Sequence, residues 1–405
     1  MSGTAQRVAV IGAGYAGTAF CLACLARNLD RRFELTLVEQ SPNPGPVGAG
    51  VLLQPSGQFV LERLGLLTEE LKGQLHPYQF LRARDGLNNF FLDLSVCQNG
   101  YQTYGAHRGT IYEALLSPLE KAASRGRMKL KFGSPVIAAE RSPQGWQIST
   151  EDKNLGAFDL VVVADGNRSQ TRERLGFRCL QRAYQIGALW CVGQSAQPAG
   201  ELLQSCQGTS RIVGLLPTDR NDSVSFFFSC SAQEYQQLLQ RPFEQFVWQV
   251  EEIAPEAVGL LQKCGGFENM LHTHYYHGWM PTWVRPGAVV MGDAAHPMSP
   301  HLGQGINLAL LDAYSLAKSL EQLEPRHALH RYQRKRQAHV GMTSWLSLVL
   351  TPFFQSVPDL GQGRLRNLGV RLFSAWPWMR SQMQGAVWGR KASLWSLVED
   401  FEEIC

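Results

Sequence analysis

Apolar runs without polar interruption occupy residues 8–11, 160–163 and 288–291, and residues 33–38 add a fourth, mostly apolar stretch. Their length and β-branching fit strands buried on both faces, the pattern of a parallel sheet covered by helices. Apolar positions recur at helical spacing up to Leu29, up to Leu66, from Thr110 to Arg125 and from Leu308 to Leu320. Between these blocks, residues 129–133, 136–140 and 146–150 alternate like strands of a meander. Residues 184–192, 212–216 and 223–229 read as further strands, and 242–250 as a helix with Phe243, Phe246 and Val247 on one face. Short alternating runs such as Phe90-Phe91-Leu92-Asp93-Leu94 suit a sheet inserted into the first unit.

The turns between these elements carry the chemistry. The run at 8–11 passes at once into Gly12-Ala13-Gly14-Tyr15-Ala16-Gly17 and a helix, and the stretch at 33–38 ends in Glu39, 22 residues after Gly17. Strand, G-x-G-x-x-G, helix, strand and terminal acid together form the dinucleotide fingerprint: glycines for the turn, the pyrophosphate and helix packing, and an acid for the ribose. An acid at position 39 favours a free 2′-hydroxyl, as FAD and NAD have, over NADP.

The run at 288–291 delivers Gly292-Asp293 to a Pro/Gly-rich turn through Pro300, Gly303, Gln304, Gly305, Ile306 and Asn307, which opens the helix at 308–320. Unpaired N–H groups and the positive helix end then lie beside the Asp, a surface suited to a hydroxylated chain and a developing negative charge. The segment G-D-A-A-H-P-x-x-P-x-x-G-Q-G-x-N resembles the second flavin fingerprint of the class A flavoprotein monooxygenases, the para-hydroxybenzoate hydroxylase family. Ala164-Asp165-Gly166 followed by Ser169 and Arg172 resembles the family's A-D-G-x-x-S-x-x-R signature. Residues 48–55 resemble its G-x-G-I-x-L-x-P segment, and Arg108 stands where the family's R-x-x-L helix contacts the cofactor.

The resemblance covers roughly residues 8–320 and implies an α/β fold. It predicts a Rossmann-like FAD-binding domain of the para-hydroxybenzoate hydroxylase/glutathione reductase type, with an inserted mixed β-sheet substrate domain and a C-terminal helical arm. Residues 1–75, 105–178 and 278–325 would form the FAD-binding part, 76–104 and 179–277 the substrate sheet, and 326–405 the arm. It implies FAD contacts from Gly12, Gly14, Ala16, Gly17, Glu39, Arg108, Asp165, Asp293, Pro300 and residues 303–307. Asp293 would hold the ribitol, and Pro300, Gly303 and Gly305 would shape the oxygen side of the ring.

Composition adds constraints. A net charge of +4 over 405 residues asks for no nucleic acid. Nine cysteines at irregular spacings form no disulfide framework, and Cys21 and Cys24, one turn apart in the first helix, read as core. His272 and His274 share a strand face but lack a third ligand type, so no metal is expected. No cationic segment and apolar core precede the first strand, so a cytoplasmic location is expected. From Arg326 to Lys391 there are 11 Lys/Arg against one acid, Asp359, interleaved with aromatics. Such an arm serves either as a cover packed on the protein or as a weak contact with an anionic membrane surface. The acidic residues at 399–403 read as a solvated helix end.

The resemblance implies that NAD(P)H reduces FAD, that the reduced flavin captures O2 as a C4a-hydroperoxide, and that oxygen passes to an aromatic or lipophilic small molecule by hydroxylation or epoxidation. A monomer or homodimer is expected. No catalytic base is assigned: Tyr184, His272 and His301 are unplaced, and His296 reads as structural. A single G-x-G-x-x-G argues against a second dinucleotide domain. The rivals are a flavin-dependent halogenase, whose W-x-W-x-I-P is met here only by Trp376-Pro377-Trp378-Met379-Arg380, a flavin-dependent polyprenyl reductase, and a non-catalytic FAD-binding partner.

Overall fold

Val8, Ala9, Val10 and Ile11 leave no polar side chain for either face, so the strand Gln6–Ile11 is buried on both sides at the middle of a parallel sheet. The computed structural model describes residues 5–45, 50–195, 200–355, 361–393 and 395–405. Its six-stranded sheet runs in the order Val284–Arg285, Ala288–Val290, Leu160–Val163, Gln6–Ile11, Phe33–Val38 and Lys129–Lys131. All pairings are parallel except the outermost, between Val284–Arg285 and Ala288–Val290. The helices Tyr15–Ala26, Arg108–Ser124 and Gly305–Gln322 share its core. Tyr15–Ala26 is apolar all round, which fits its burial from Ala16 to Leu25.

A second, seven-stranded sheet runs Leu271–Thr273, Ile186–Gln194, Ser223–Ser231, Arg211–Pro217, Glu201–Gln207, Phe80–Asp85 and Phe90–Ser95. Only Glu201–Gln207 with Phe80–Asp85 is parallel. Alternation sorts its aromatics: Phe226 and Phe228 pack with Phe246 of the helix Phe243–Glu251, while Phe227 lies on the other face with Trp190, ring centroids 5.1 Å apart. Gly50–Leu53, Thr103–His107 and His76–Tyr78 make a small antiparallel sheet. The helix Pro325–Phe354 packs on Gly305–Gln322 and buries Tyr332, Arg336 and His339.

Several expectations shift. Lys129–Lys131 is the edge of the parallel sheet rather than part of a meander, which comprises Val136–Ser142, Gly145–Thr150 and Asn154–Phe158. The helix expected to reach Leu66 is Pro55–Arg63. At the acidic C-terminus Glu399, Asp400 and Glu403 are exposed as expected, but Phe401, Ile404 and Cys405 are buried and tie the segment to the protein. Glu402 there binds Tyr314 Oη at 2.9 Å and pairs with Lys318 and Arg63. Gly48, Ala49 and Asp359 lie outside the described residues.

Candidate active site

Register decides which turns meet. Ile11 pairs with Val163, and Val163 with Val290, so the chain leaves these strands along one edge. Gly12 holds φ +103°, and a Cβ there would stand 2.5 Å from the Ala164 carbonyl oxygen and 2.7 Å from Asp165 Cα. A Cβ on Gly292 would stand 3.1 Å from that of Ala16. The glycine turn, the Asp165 turn and the Asp293 turn are therefore packed against one another at the carboxyl ends of parallel strands, where crevices of α/β sheets open.

Two helices begin at this edge. Tyr15–Ala26 follows Gly14, Gly305–Gln322 follows Gln304, and neither has a side-chain cap. Each start leaves N–H groups and the positive dipole end directed outward. A Cβ added to Gly14 or Gly305 meets nothing within 4 Å, so both starts can be approached closely. Gly17 is different: a Cβ there would lie 2.0 Å from the Gly12 carbonyl oxygen, so the turn closes only on a bare Cα. A pyrophosphate at one start and the electron-rich edge of a flavin ring at the other fit this pair.

The remaining residues brace or line the crevice. Glu39 accepts from Ala13 N at 2.8 Å and from Ser41 N at 2.9 Å, and its carboxylate keeps lone pairs for a sugar hydroxyl. Arg108 opens its helix, and its carbonyl accepts from Tyr15 Oη at 2.9 Å. One turn on, Tyr112 Oη donates to the Ala13 carbonyl at 2.9 Å, and the two phenol rings meet edge-on. Burial pushes the Tyr15 phenol up to about 12, partly offset by Arg108. Burial raises the Asp293 carboxyl and the Tyr275 phenol, and the same guanidinium partly opposes both rises.

Burial raises the Asp165 carboxyl, opposed by hydrogen bonds with Ser169 and Thr171. Its Oδ1 is buried without a hydrogen-bond partner among the described residues. Arg172, almost fully buried, donates to the Ala294 carbonyl at 2.8 Å and so ties the Asp165 turn to the Asp293 turn. Asp293 is open to the crevice on one side and enclosed by protein on the others. That enclosure raises its carboxyl, His296 and Arg108 lower it, and Asp312 raises it again.

Past Asp293 the side chains turn inward. Pro300 is exposed and Gly303 holds φ +62°. Gln304 Nε2 donates to the carbonyls of Ala386 and Val387 at 3.0 and 2.8 Å, and Ile306 joins the main core. Asn307 Oδ1 accepts from Gln54 N at 2.9 Å, and its Nδ2 donates to Leu52 O at 3.0 Å. Gln304, Ile306 and Asn307 thus spend their side chains on neighbouring segments and leave the main chain for the crevice.

A buried ionic network beneath the turn was not read from the sequence. Asp312 Oδ2 accepts from Gly292 N at 2.9 Å and from His296 Nε2 at 2.6 Å, and Oδ1 accepts from Arg336 Nε at 2.8 Å. Burial alone would raise this carboxyl, but His296 and Arg336 together hold it at about 2. Arg336 Nη1 lies 2.8 Å from His339 Nδ1. A guanidinium only donates, so His339 carries its proton on Nε2, which donates to the Gly389 carbonyl at 3.0 Å. The signal available was Asp312, an acid set within the apolar run 308–316 of the helix Gly305–Gln322.

On the side of the long sheet, Tyr275 Oη accepts from Trp190 Nε1 at 3.2 Å, and Tyr184 lies against His277. His301 packs near Phe354, burial pushes its imidazole down to about 4, and its Nε2 is buried without a partner among the described residues. His272 stacks on Tyr235 at 4.5 Å and meets His274 edge-on.

Residues 5–343 match the FAD binding domain family. Among curated relatives, 3-amino-4-hydroxybenzoate 2-monooxygenase PtnB3 of Streptomyces platensis is 28% identical over 353 residues, 82% of this chain and 85% of its own. The 6-hydroxynicotinate 3-monooxygenase of Bordetella bronchiseptica is 26% identical over 335 residues, 78% of this chain and 83% of its own. Among solved structures, PqsL of P. aeruginosa in complex with 2-aminobenzoylacetate superposes with a TM-score of 0.75 at 21% identity, covering 91% of this chain and 99% of that one. The tetrameric form of 2-methyl-3-hydroxypyridine-5-carboxylic acid oxygenase gives 0.73 at 22% identity, covering 90% and 96%. Because the family match runs through both large sheets and on into the Pro325–Phe354 helix, the chain belongs to the FAD binding domain family, as an FAD-dependent oxidoreductase of the class A flavoprotein monooxygenase kind.

Proposed function

We propose that this enzyme uses NAD(P)H and O2 to hydroxylate or epoxidise an apolar, electron-rich aromatic small molecule. The observation that carries the reading is the register Ile11–Val163–Val290, which sets two uncapped helix starts and the carboxylates of Asp165 and Asp293 around one crevice. In this reading Gly12, Gly14 and Gly17 admit the FAD pyrophosphate and Glu39 accepts from the adenosine ribose. Ala16 packs the two turns together, Arg108 and Asp165 face the cofactor, and Asp293 holds the ribitol. Pro300, Gly303 and the main chain of 304–307 border the ring.

Bound FAD, once reduced, supplies the activation of O2 that puts one oxygen atom into the substrate. The chain's own part is to orient the ring, to present positive helix ends to developing negative charge and to keep water out. Tyr184, Tyr275, His301 and Phe354 are assigned to the substrate side. With an imidazole near 4, His301 stays neutral at pH 7 and can hydrogen-bond a ring substituent without adding a charge. The relatives are named for aminohydroxybenzoate and hydroxynicotinate, rings made electron-rich by amino or hydroxyl groups, and this supports a substrate of that class.

The test is NAD(P)H oxidation by the flavin-loaded enzyme across a panel of hydroxylated or aminated benzoates and pyridines, under ¹⁸O2. The expected result is one ¹⁸O atom in the product of at least one ring. Product that requires halide, or turnover without oxygen, would move the protein to a different reaction class.

A further inference from the structure

The helix Gln362–Ala375 is amphipathic, and it sits on the protein by the side that carries Gly363, Arg366 and the half-buried Val370. The residues it buries are Gly363 and Arg366. Arg366 lies 4.6 Å over the Phe91 ring and 5.2 Å from that of Phe354, and donates to the carbonyls of Gly208 and Phe353 at 3.1 Å. That anchoring turns the opposite side outward. Leu365, Leu368, Leu372 and Trp376 follow one another at spacings of three and four residues, all more than half exposed, with Leu365 at 65% and Leu372 at 62%. Beyond them Trp376, Trp378 and Trp395 form a ladder with ring centroids 5.8 and 5.7 Å apart, and Trp395 is 67% exposed. A run of this size is unusual on a soluble surface and marks an interaction site.

Charge selects the occupant. Residues 361–398 contain Arg364, Arg366, Arg371, Arg380, Arg390 and Lys391 and no Asp or Glu. Arg366 is buried, Arg380 donates to the Asp93 carbonyl, and Arg390 donates to the Val398 carbonyl. Arg364 and Arg371 are exposed along one border of the leucine stripe, with no carboxylate within ion-pair distance among the described residues. Asp93, the acid on the adjoining strand, pairs with Arg82 at 3.2 Å. A second copy docked face to face would bring a second Arg364 and Arg371 to the interface with no acid on either helix to offset them. An anionic bilayer satisfies both features: leucines enter the acyl boundary, tryptophans sit at headgroup level, and arginines meet lipid phosphates.

We propose that the outward face of Gln362–Ala375, with Trp376, Trp378 and Trp395, docks the enzyme peripherally on an anionic lipid surface. No helix among the described residues is long and apolar enough to cross a membrane, so the contact lies in the interface plane. This rests on the exposed face alone and stands or falls separately from the reaction assigned above.

The experiment is co-sedimentation of the full-length, flavin-loaded protein with vesicles of phosphatidylcholine alone or with about a third phosphatidylglycerol, alongside its sedimentation velocity without lipid. Binding is expected to the anionic vesicles, to weaken as salt is raised, and to be lost in L368E/L372E. R364Q/R371Q should bind on the order of 30-fold more weakly, from about fivefold per arginine near a charged surface. Flavin absorbance and thermal unfolding of each variant check that it is folded, since none of these side chains supports the core. Should wild type fail to bind anionic vesicles, or should L368E/L372E bind as well as wild type, the proposal is overturned. A wild-type dimer that L368E/L372E splits, with no lipid binding, would assign the face to a second copy instead.

Discussion

Gln304 Nε2 lies 2.8 Å from the carbonyl oxygen of Val387, so the turn that opens the Gly305–Gln322 helix is held by the end of the Pro377–Val387 helix, 83 residues further on. The same amide also reaches the Ala386 carbonyl, 3.0 Å away. Gln304→Ala strands the buried Val387 carbonyl, while that of Ala386 keeps the Gly389 N–H at 3.3 Å, and should cost about 1–3 kcal/mol. Because the turn borders the proposed ring site, the flavin-loaded variant should also release more H2O2 per NAD(P)H oxidised. Urea unfolding and a peroxide assay read the two effects, and unchanged coupling would confine Gln304 to stability.

Gly14 and Gly17 stand three residues apart and should fail differently. Gly17→Ala drives a Cβ to 2.0 Å from the Gly12 carbonyl oxygen, so the expected outcome is poor folding or a loss of several kcal/mol. At Gly14 an added Cβ meets no protein atom within 4 Å, so Gly14→Val should leave apo stability near wild type while blocking approach to the helix start. Flavin content and apo-protein melting separate the two. A Gly14→Val protein with full flavin occupancy would remove Gly14 from the pyrophosphate site.

Asp293→Ala should purify largely free of FAD, since the ribitol would lose its acceptor. Its effect on folding should be small, because Asp293 is exposed rather than part of the core. Full occupancy in the purified variant would refute the role given to Asp293.

Acid sensitivity should trace to buried imidazoles first. Burial and the neighbouring Arg336 push His339 down to about 3, against an ordinary value of 6.5. Below pH 6.5 the unfolded chain therefore takes up a proton that the native chain refuses until about pH 3. Stability from this group is complete above 6.5 and lost as pH falls, at about 1.4 kcal/mol per pH unit. His301 acts in the same direction down to about 4. Asp312, held at about 2 rather than 3.8, adds its loss only below pH 4. Unfolding free energy measured in urea between pH 6 and 4.5 should fall less steeply in His339→Gln by about one proton's worth. An unchanged slope would mean that His339 is protonated in the native state.

The Asp312–Arg336 pair supplies a sharper stability test. Both side chains are fully buried and 2.8 Å apart. Asp312→Ala leaves Arg336 charged in the core and should cost on the order of 3–5 kcal/mol. The double variant Asp312→Leu/Arg336→Met should recover part of that loss. If the single variant melts like wild type, the network does not support the turn.

What was legible beforehand was local. The glycine turn with its strand and helix, the acid at position 39, and the turns at Asp165 and Asp293 each sit within a short stretch whose spacing states its own geometry. Their convergence was expected only because the family resemblance supplied the order of the strands, and the register of Ile11, Val163 and Val290 supplies the physical reason. Lys129–Lys131 shows where alternation fails, because three residues cannot say whether their partner is the next hairpin or a parallel strand reached by crossover.

The sequence by itself determined which segments are strands and helices and which turns bear the flavin-type motifs, because those depend on neighbours a few residues apart. Tertiary structure alone decided what the side chains inside the motifs do. Arg172 on Ala294, Gln304 on Val387 and Asn307 on Gln54 are bonds across 83 to 253 residues, and no periodicity encodes them. It also decided which way Gln362–Ala375 lies. A period of 3.6 residues specifies that a helix has an apolar side, whereas only the pocket for Arg366 between Phe91 and Phe354 dictates that this side looks away from the protein.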